Sequence, residues 1–147
     1  MQITKRDLIV SLSTACFTLT CICATPRFDI MESSIFEWNT IPVKSTKTGG
    51  VRTFFRSQTA TLDELECHVT TLNPGEASHP PHQHPEEEVI IVKEGTVEAL
   101  VNGQKKTVGP GSVIFQASNQ MHAISNVGQT QATYHVFSWH SPGTMKR

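Results

Sequence analysis

Four residues in the second half of the chain have the types and spacing that a metal site requires. His82, His84 and Glu88 lie in one short segment, and His122 follows later in the chain. Neutral imidazoles and a carboxylate together suit a borderline divalent ion. Residues two apart point to the same face of an extended chain, so His82, His84 and Glu88 would share a face. Three histidines and one carboxylate would leave one or two coordination positions open, as a reactive site needs.

Short β-type segments separated by Gly, Pro and Asn turns surround these residues, and no useful stretch with helical periodicity occurs. The strongest hairpin signal is Asn102-Gly103. Ile90 and Val92 lie two and four residues after Glu88, so they would continue the face of the candidate ligands into the core. The predicted strands cover residues 51–56, 65–72, 89–92, 97–101, 104–108, 112–116, 121–127 and 132–139. About eight strands at this spacing predict an all-β jelly-roll barrel, an architecture that can enclose a ligand site.

The order of the candidate ligands resembles the two motifs of the cupin superfamily. The first motif is matched by Gly75, His82, His84, Glu88 and Gly95, with one extra residue after its first glycine. The second is matched in spacing by Gly111, His122 and Asn126. Ala117 and Asn119 stand where this motif has a Pro and a Gly, which alters a turn rather than a ligand. The resemblance covers residues 62–141.

This resemblance implies a single cupin barrel with metal ligands at His82, His84, Glu88 and His122, the same four residues chosen above from their types. In the family, such sites support dioxygenation, isomerisation or decarboxylation of small acids, sugars and phenols. We therefore predict a metal-dependent enzyme of one of these types that acts on a small organic molecule. The alternatives are a non-enzymatic module that binds a small ligand or the metal itself, and a purely structural barrel.

A clear general acid or base outside the ligand set is not evident. His68, His135 and Glu76 are candidates, and His68 and His135 would orient a metal ligand or line the pocket if they faced the barrel interior. The alternative is that each is an ordinary strand histidine. His79 is predicted at the pocket mouth, and Asn126 is a structural or pocket residue. Glu86 and Glu87 precede Glu88 directly, and their carboxylates are interpreted as solvated neighbours of Glu88.

The predicted cofactor is one divalent ion, which can be Mn, Fe, Zn, Ni or Cu. The usual order of divalent affinities favours Cu and Zn in a compartment open to the outside. If the barrel folds before export, Mn or Fe could instead be captured in the cytoplasm. These hypotheses are separated by identifying the metal in protein folded inside the cell and in protein folded outside it.

The N-terminus is typical of an export signal. Lys5 and Arg6 precede an apolar run that ends near Ala24, and residues 4–9 are similar to a twin-arginine signal with Lys in place of the first Arg. We predict a signal peptide at residues 1–24, a linker at 25–34 and the barrel at 35–147. The protein would then be periplasmic or secreted, with no stable membrane span after cleavage, unless the segment remains as a tethering helix. The N-terminal mass of the mature protein tests this prediction.

Composition limits the partners. The chain has 12 Lys and Arg against 13 Asp and Glu, without a basic stripe, so we predict no nucleic-acid partner. After signal removal only Cys67 remains, so no intrachain disulfide is expected. Cupins often pair through their sheets, and residues 35–56 could cover a sheet edge, so a homodimer is expected by analogy.

Overall fold

The computed structural model describes residues 30–142, and its regular structure is almost entirely β-strand. A single 3₁₀ turn, Trp38–Thr40, precedes nine strands. They are β1 (Lys44–Thr46), β2 (Gly49–Ser57), β3 (Glu64–Leu72), β4 (Glu87–Glu94), β5 (Val97–Val101), β6 (Gln104–Val108), β7 (Val113–Gln116), β8 (Ala123–Asn126) and β9 (Ala132–His140). All eight predicted segments form strands, and β1 is an additional strand.

The predicted signal peptide and residues 25–29 of the predicted linker lie outside the described residues. Within the part of the chain that the structure describes, no helix is long and apolar enough to cross a membrane. The export route and the cleavage site therefore stay predictions.

The strands form two antiparallel sheets. The larger sheet has the order β1-β2-β3-β9-β4-β7, and the smaller one has the order β6-β5-β8. Strands far apart in the sequence are neighbours, as when β9 lies between β3 and β4. Two antiparallel sheets with such crossovers form a jelly roll. The predicted all-β class is thus confirmed.

The core lies between the inner faces of the two sheets. Alternate residues of each strand face the core. In β5, Val97 and Ala99 are buried, whereas Glu98 and Leu100, which alternate with them, are not. Ile90 and Val92 of β4 are buried as predicted. The core cluster consists of Leu72, Ile90, Val92, Val97, Ala99, Ile114, Ile124, Ala132, Tyr134 and Val136. Burial of each large apolar side chain contributes about 1.5–3 kcal/mol relative to its exposure.

Two turns depend on residues that tolerate a positive φ. Asn102 and Gly103 have φ values of +52° and +72° and join β5 to β6, which confirms the predicted hairpin. Gly95 has a φ of +79°, and a Cβ there would lie 2.6 Å from the Cα of Ala132. Any larger residue at position 95 would therefore displace the start of β9.

The N-terminal segment covers part of the outer face of the larger sheet, from β2 across to β9. The ring of Trp38 lies 6.1 Å from Phe54 of β2 and 6.0 Å from His135 of β9 between ring centroids. Arg52 donates hydrogen bonds to the carbonyls of Trp38 and Ile41, which ties this segment to the sheet. The opposite edge of the sheet is β7, which pairs only with β4 among the described strands.

A buried asparagine joins three chain segments beneath the smaller sheet. Asn126 is 1% exposed, and its Nδ2 donates to the carbonyls of Leu72 at 3.0 Å and Thr130 at 2.8 Å. Its Oδ1 accepts from the amide of Gly128 at 2.9 Å. The side chain thus satisfies backbone groups that would otherwise be buried without a partner.

Replacing Asn126 with alanine should lower the free energy of unfolding by about 3 kcal/mol, because several buried backbone groups lose their partner at once. Urea unfolding followed by tryptophan fluorescence measures this. The matched control is Gln129→Ala at an exposed position of the same loop, with an expected change within about 0.5 kcal/mol. A loss for Asn126→Ala no larger than that of the control would contradict the role given to these hydrogen bonds.

Candidate metal centre

Two of the predicted ligands are joined through their backbones. The amide of His82 donates to the carbonyl of His122 at 3.1 Å, and the amide of His122 donates back at 2.9 Å. This antiparallel bridge ties the loop after β3 to the residue that precedes β8. The third histidine is held in a similar way, because the amide of Asn119 donates to the carbonyl of His84 at 2.8 Å.

The imidazoles of these histidines form a compact group. One ring nitrogen from each of His82, His84 and His122 lies within 4.8 Å of the others. The ring centroid of His122 is 4.6 Å from that of His82 and 4.7 Å from that of His84. Because unpaired imidazoles gain little from such proximity, the group fits a shared ion better than ring packing alone, and the three histidines can together hold a metal ion.

The outward nitrogens of the three rings are turned toward oxygens. Nδ1 of His82 donates to the carbonyl of Pro80 at 3.0 Å, and Nδ1 of His122 donates to that of Gln120 at 2.8 Å. Nδ1 of His84 lies 3.2 Å from a carboxylate oxygen of Glu86. The hydrogen bonds of His82 and His122 set their tautomers and leave Nε2 for the ion, whereas Nδ1 of His84 makes no hydrogen bond within residues 30–142.

His122 shows this most clearly. The residue is 4% exposed, and its Nε2 is buried without a hydrogen-bond partner among residues 30–142. Burial lowers the pKa of its imidazole, which favours the neutral form that metal binding requires. A buried, neutral and unpaired nitrogen that faces two other imidazoles is what a metal ligand without its ion would present.

Glu88 lies beside the histidine group without being part of its closest set. Its Oε1 is 3.5 Å from Nε2 of His84, and it lines the same cavity as His82 and His122. The structure therefore brings all four predicted ligands to one place. The assignment of Glu88 as a metal ligand stays a prediction.

A cavity of about 80 Å³ opens beside the histidines between the two sheets. Its wall is polar on the ligand side and apolar on the other, and it is formed by His68, Thr70, Ser78, His79, His82, Glu88, Ile90, Gln116, His122, Ala123, Ile124, Tyr134 and Val136. A wider depression of about 580 Å³ adjoins it and shares Ser78, His79, Ala123 and Ile124. The inner cavity has room for the reacting group of a small molecule, whereas the depression includes the outward-facing Glu98 and Leu100 of β5.

Four polar residues of this wall were not singled out from the sequence. Burial raises the pKa of Tyr134 to about 12, and its hydroxyl is hydrogen bonded to Ser78 and Thr70. Gln116 is 2% exposed, and neither atom of its amide has a partner within the described chain. The period-two alternation of β9, in which Tyr134 and Val136 are inward, is the signal that could have identified the tyrosine.

The other predicted candidates separate by strand face. His68 of β3 lines the cavity, and His79 lies at its exposed rim. His135 lies on the outer face of β9, near Trp38 and Phe54, because its neighbours Tyr134 and Val136 point inward. Asn126 does not line the cavity and instead holds the turn described above.

Glu86 receives a different interpretation from the geometry, whereas Cys67 is buried as the sequence indicates. Glu86 is in ion-pair contact with His84, and its side chain is only 23% exposed. It is therefore a partner of a ligand rather than a solvated neighbour of Glu88. Cys67 is buried, and burial raises the pKa of its thiol to about 11, which agrees with a packing role.

Comparison with known proteins agrees with this fold and this pair of motifs. The family model for the cupin domain matches residues 68–138, a range that includes all four predicted ligands. Residues 68–138 belong to the cupin superfamily. No protein with a curated description matches the chain significantly.

Several solved cupin structures are similar to the chain. A predicted oxalate decarboxylase from Thermotoga maritima has a TM-score of 0.59 at 19% identity, covering 73% of this chain and 99% of that one. The polyketide cyclase RemF from Streptomyces resistomycificus has a TM-score of 0.58 at 18% identity, covering 76% and 82%. A sugar phosphate isomerase of the superfamily from Silicibacter pomeroyi has a TM-score of 0.59 at 17% identity, covering 74% and 77%. At these identities the likeness supports the shared fold.

Replacing Glu86 with glutamine should weaken Zn²⁺ binding by about 10- to 100-fold, because the carboxylate that orients His84 and raises its basicity is lost. Competition with a fluorescent zinc chelator measures the affinity. Glu87→Gln is the matched control, since it removes the same charge from the next position, whereas the carboxylates beside His84 are those of Glu86 and Glu88. Equal affinities for the two variants would show that Glu86 does not support the site.

Proposed function

We propose that this chain is a metal-dependent enzyme that converts a small organic molecule at the centre formed by His82, His84, His122 and Glu88. The observation that carries the proposal is that the three clustered histidines adjoin a cavity, with His82, His122 and Glu88 in its wall, rather than forming a closed shell. Closed coordination is typical of structural metal sites, whereas reactive sites keep room for water or substrate beside the ion. When bound, a divalent ion would supply Lewis-acid or oxygen-binding chemistry here.

The cavity wall supports the binding of a polar molecule. Both amide atoms of Gln116 are buried without a partner among the described residues, and Gln116 pairs across the strands with Glu88. Buried polar groups are normally hydrogen bonded, so an unpaired amide next to the candidate ligands favours a ligand with a donor and an acceptor. Ile90, Ile124 and Val136 provide the apolar wall against which its carbon atoms would pack.

The similar structures support a small organic molecule as the substrate, but they do not indicate which reaction takes place. Their names describe a predicted oxalate decarboxylase, a polyketide cyclase and a sugar phosphate isomerase, all of which act on small organic molecules. A carboxylic acid, a hydroxyketone or a phenol would match the donor and acceptor of Gln116, and an inner cavity of about 80 Å³ would admit its reacting group.

The purified chain should hold about one divalent ion, which is lost in His84→Ala and retained in His79→Ala, a change at the exposed rim. Elemental mass spectrometry measures the metal content. The loaded parent is then incubated, with and without oxygen, with a panel of small hydroxy acids, keto acids, sugars and phenols, and products are followed by mass spectrometry.

Metal-dependent loss of one panel compound, absent in His84→Ala, is the expected result. A parent that takes up no ion after reconstitution with Mn, Fe, Ni, Cu and Zn would overturn the proposal. Metal binding with slow release of an unchanged panel compound would instead favour a binding module.

We also propose that the protein is a homodimer formed through the outer face of β4 and β7. Ile91, Val113 and Phe115 lie next to each other in this register and are 37%, 65% and 51% exposed. Trp38 of the N-terminal segment already covers the outer face at β2 and β9, which leaves the apolar side chains at the β7 edge for a second copy.

Analytical ultracentrifugation should therefore show a dimer for the parent and a monomer for Phe115→Glu, because a charge would be buried in the apolar interface. Val43→Glu is the control, since Val43 is equally exposed but lies near β1 at the opposite edge. A monomeric parent, or a dimer that persists in Phe115→Glu, would contradict the proposed face.

A further inference from the structure

His68 lines the same cavity as the candidate metal ligands, and its ring is paired with the carboxylate of Glu66, which contacts none of those ligands. Nδ1 of His68 is 2.9 Å from Oε1 of Glu66, and the two side chains are 22% and 21% exposed. We propose that His68 is the group that takes a proton from the substrate and that Glu66 is its positioning residue. This proposal rests on the proposed function, since it adds the base to that site.

His68 faces the cavity because of strand alternation. Cys67 and Val69 of β3 are buried on the other face, while His68 and Thr70 both line the cavity. Across the register, His68 pairs with Val136 and Thr70 with Tyr134, which are inward on β9. His68 therefore lies on the larger sheet, whereas His82 and His122 lie on the side of the smaller sheet.

Glu66 determines which ring nitrogen is free. When Nδ1–H donates to the carboxylate, Nε2 carries a lone pair, and the ring can accept a proton there. The hydrogen bond from His68 is the main cause that lowers the pKa of Glu66, so the carboxylate stays charged near neutral pH. Arg56 contacts Glu66 at 3.7 Å and Glu64 at 2.9 Å, which helps to hold the carboxylate in place.

The proton transfer has a simple balance. An O–H or C–H bond of the substrate breaks, the proton forms a bond to Nε2 of His68, and the bonding electron pair stays on the substrate. The negative charge of Glu66 then stabilises the imidazolium. Return of the proton to another atom of the substrate, or to solvent, restores the neutral ring, so no further reactant is required.

The other titratable groups that face this cavity are less suited to the task. Tyr134 has a pKa of about 12 and is held by Ser78 and Thr70. Glu88 lies beside the candidate metal ligands, and His79 is at the solvent-exposed rim. Within the described cavity wall, His68 is the titratable group that has a carboxylate partner and no ring contact with the histidine group.

The test compares His68→Gln with His135→Gln in the full chain loaded with Co²⁺. Both residues are half-buried histidines on neighbouring strands, but only His68 lines the cavity. The visible absorption of Co²⁺ reports the protonation of the solvent bound to it. Both variants should keep about one Co²⁺ per chain, while only His68→Gln shifts the midpoint of the spectral pH titration, by about half a unit or more. With a substrate from the panel, His68→Gln should lower kcat by about 100-fold or more and change KM little.

The outcomes separate the two proposals. A parent that binds no Co²⁺ overturns the proposed function and this inference with it. Full Co²⁺ binding with a titration of His68→Gln identical to the parent overturns the role of His68 alone. If His68→Gln does not fold, the ¹⁵N NMR shifts of the histidine rings are measured in Glu66→Gln. They should show loss of the Nδ1–H tautomer of His68. An unchanged tautomer overturns the positioning role of Glu66.

Discussion

The candidate site depends on the two backbone hydrogen bonds between His82 and His122. They join a loop after β3 to the start of β8, two segments that are distant in the sequence. Because both residues of the bridge are also candidate ligands, the contact that closes the smaller sheet also sets the separation of their rings. The prolines around His82 reduce the entropy lost when this loop is ordered, since their φ angles are already restricted.

The unpaired polar atoms of the candidate site lower the stability of the fold. Nε2 of His122 and the amide of Gln116 are buried without partners among the described residues, although the surrounding core is apolar. Each such group opposes folding by about 1–3 kcal/mol. The fold tolerates them because the apolar cluster and the buried hydrogen bonds of Asn126 support the same region. This pattern is typical of a site that is completed by an ion and a ligand.

The two faces of the larger sheet have different roles. The inner face carries His68, Tyr134 and the apolar wall of the cavity, so it provides the proposed chemistry. The outer face is covered near β2 by Trp38 and remains apolar and exposed at β7. Assembly through the β7 face would leave the cavity unchanged, because the two surfaces are separated by the thickness of the sheet.

Ligand types, strand positions and the Asn102-Gly103 hairpin were predictable from the sequence, because period-two alternation and turn chemistry are local properties. The sequence also placed Ile90 and Val92 in the core. It could not show that His68 faces the cavity and His135 does not, since β9 is apolar on both faces. Tyr134 and Val136 of β9 pack inward, while His135 and Phe137 pack outward, with His135 near Trp38 of the N-terminal segment. Nor could it find the contact of Glu86 with His84, or the place of Gln116 opposite Glu88. Only the tertiary structure decides these, because pairing register and the covering of each face depend on strands that are far apart in the chain.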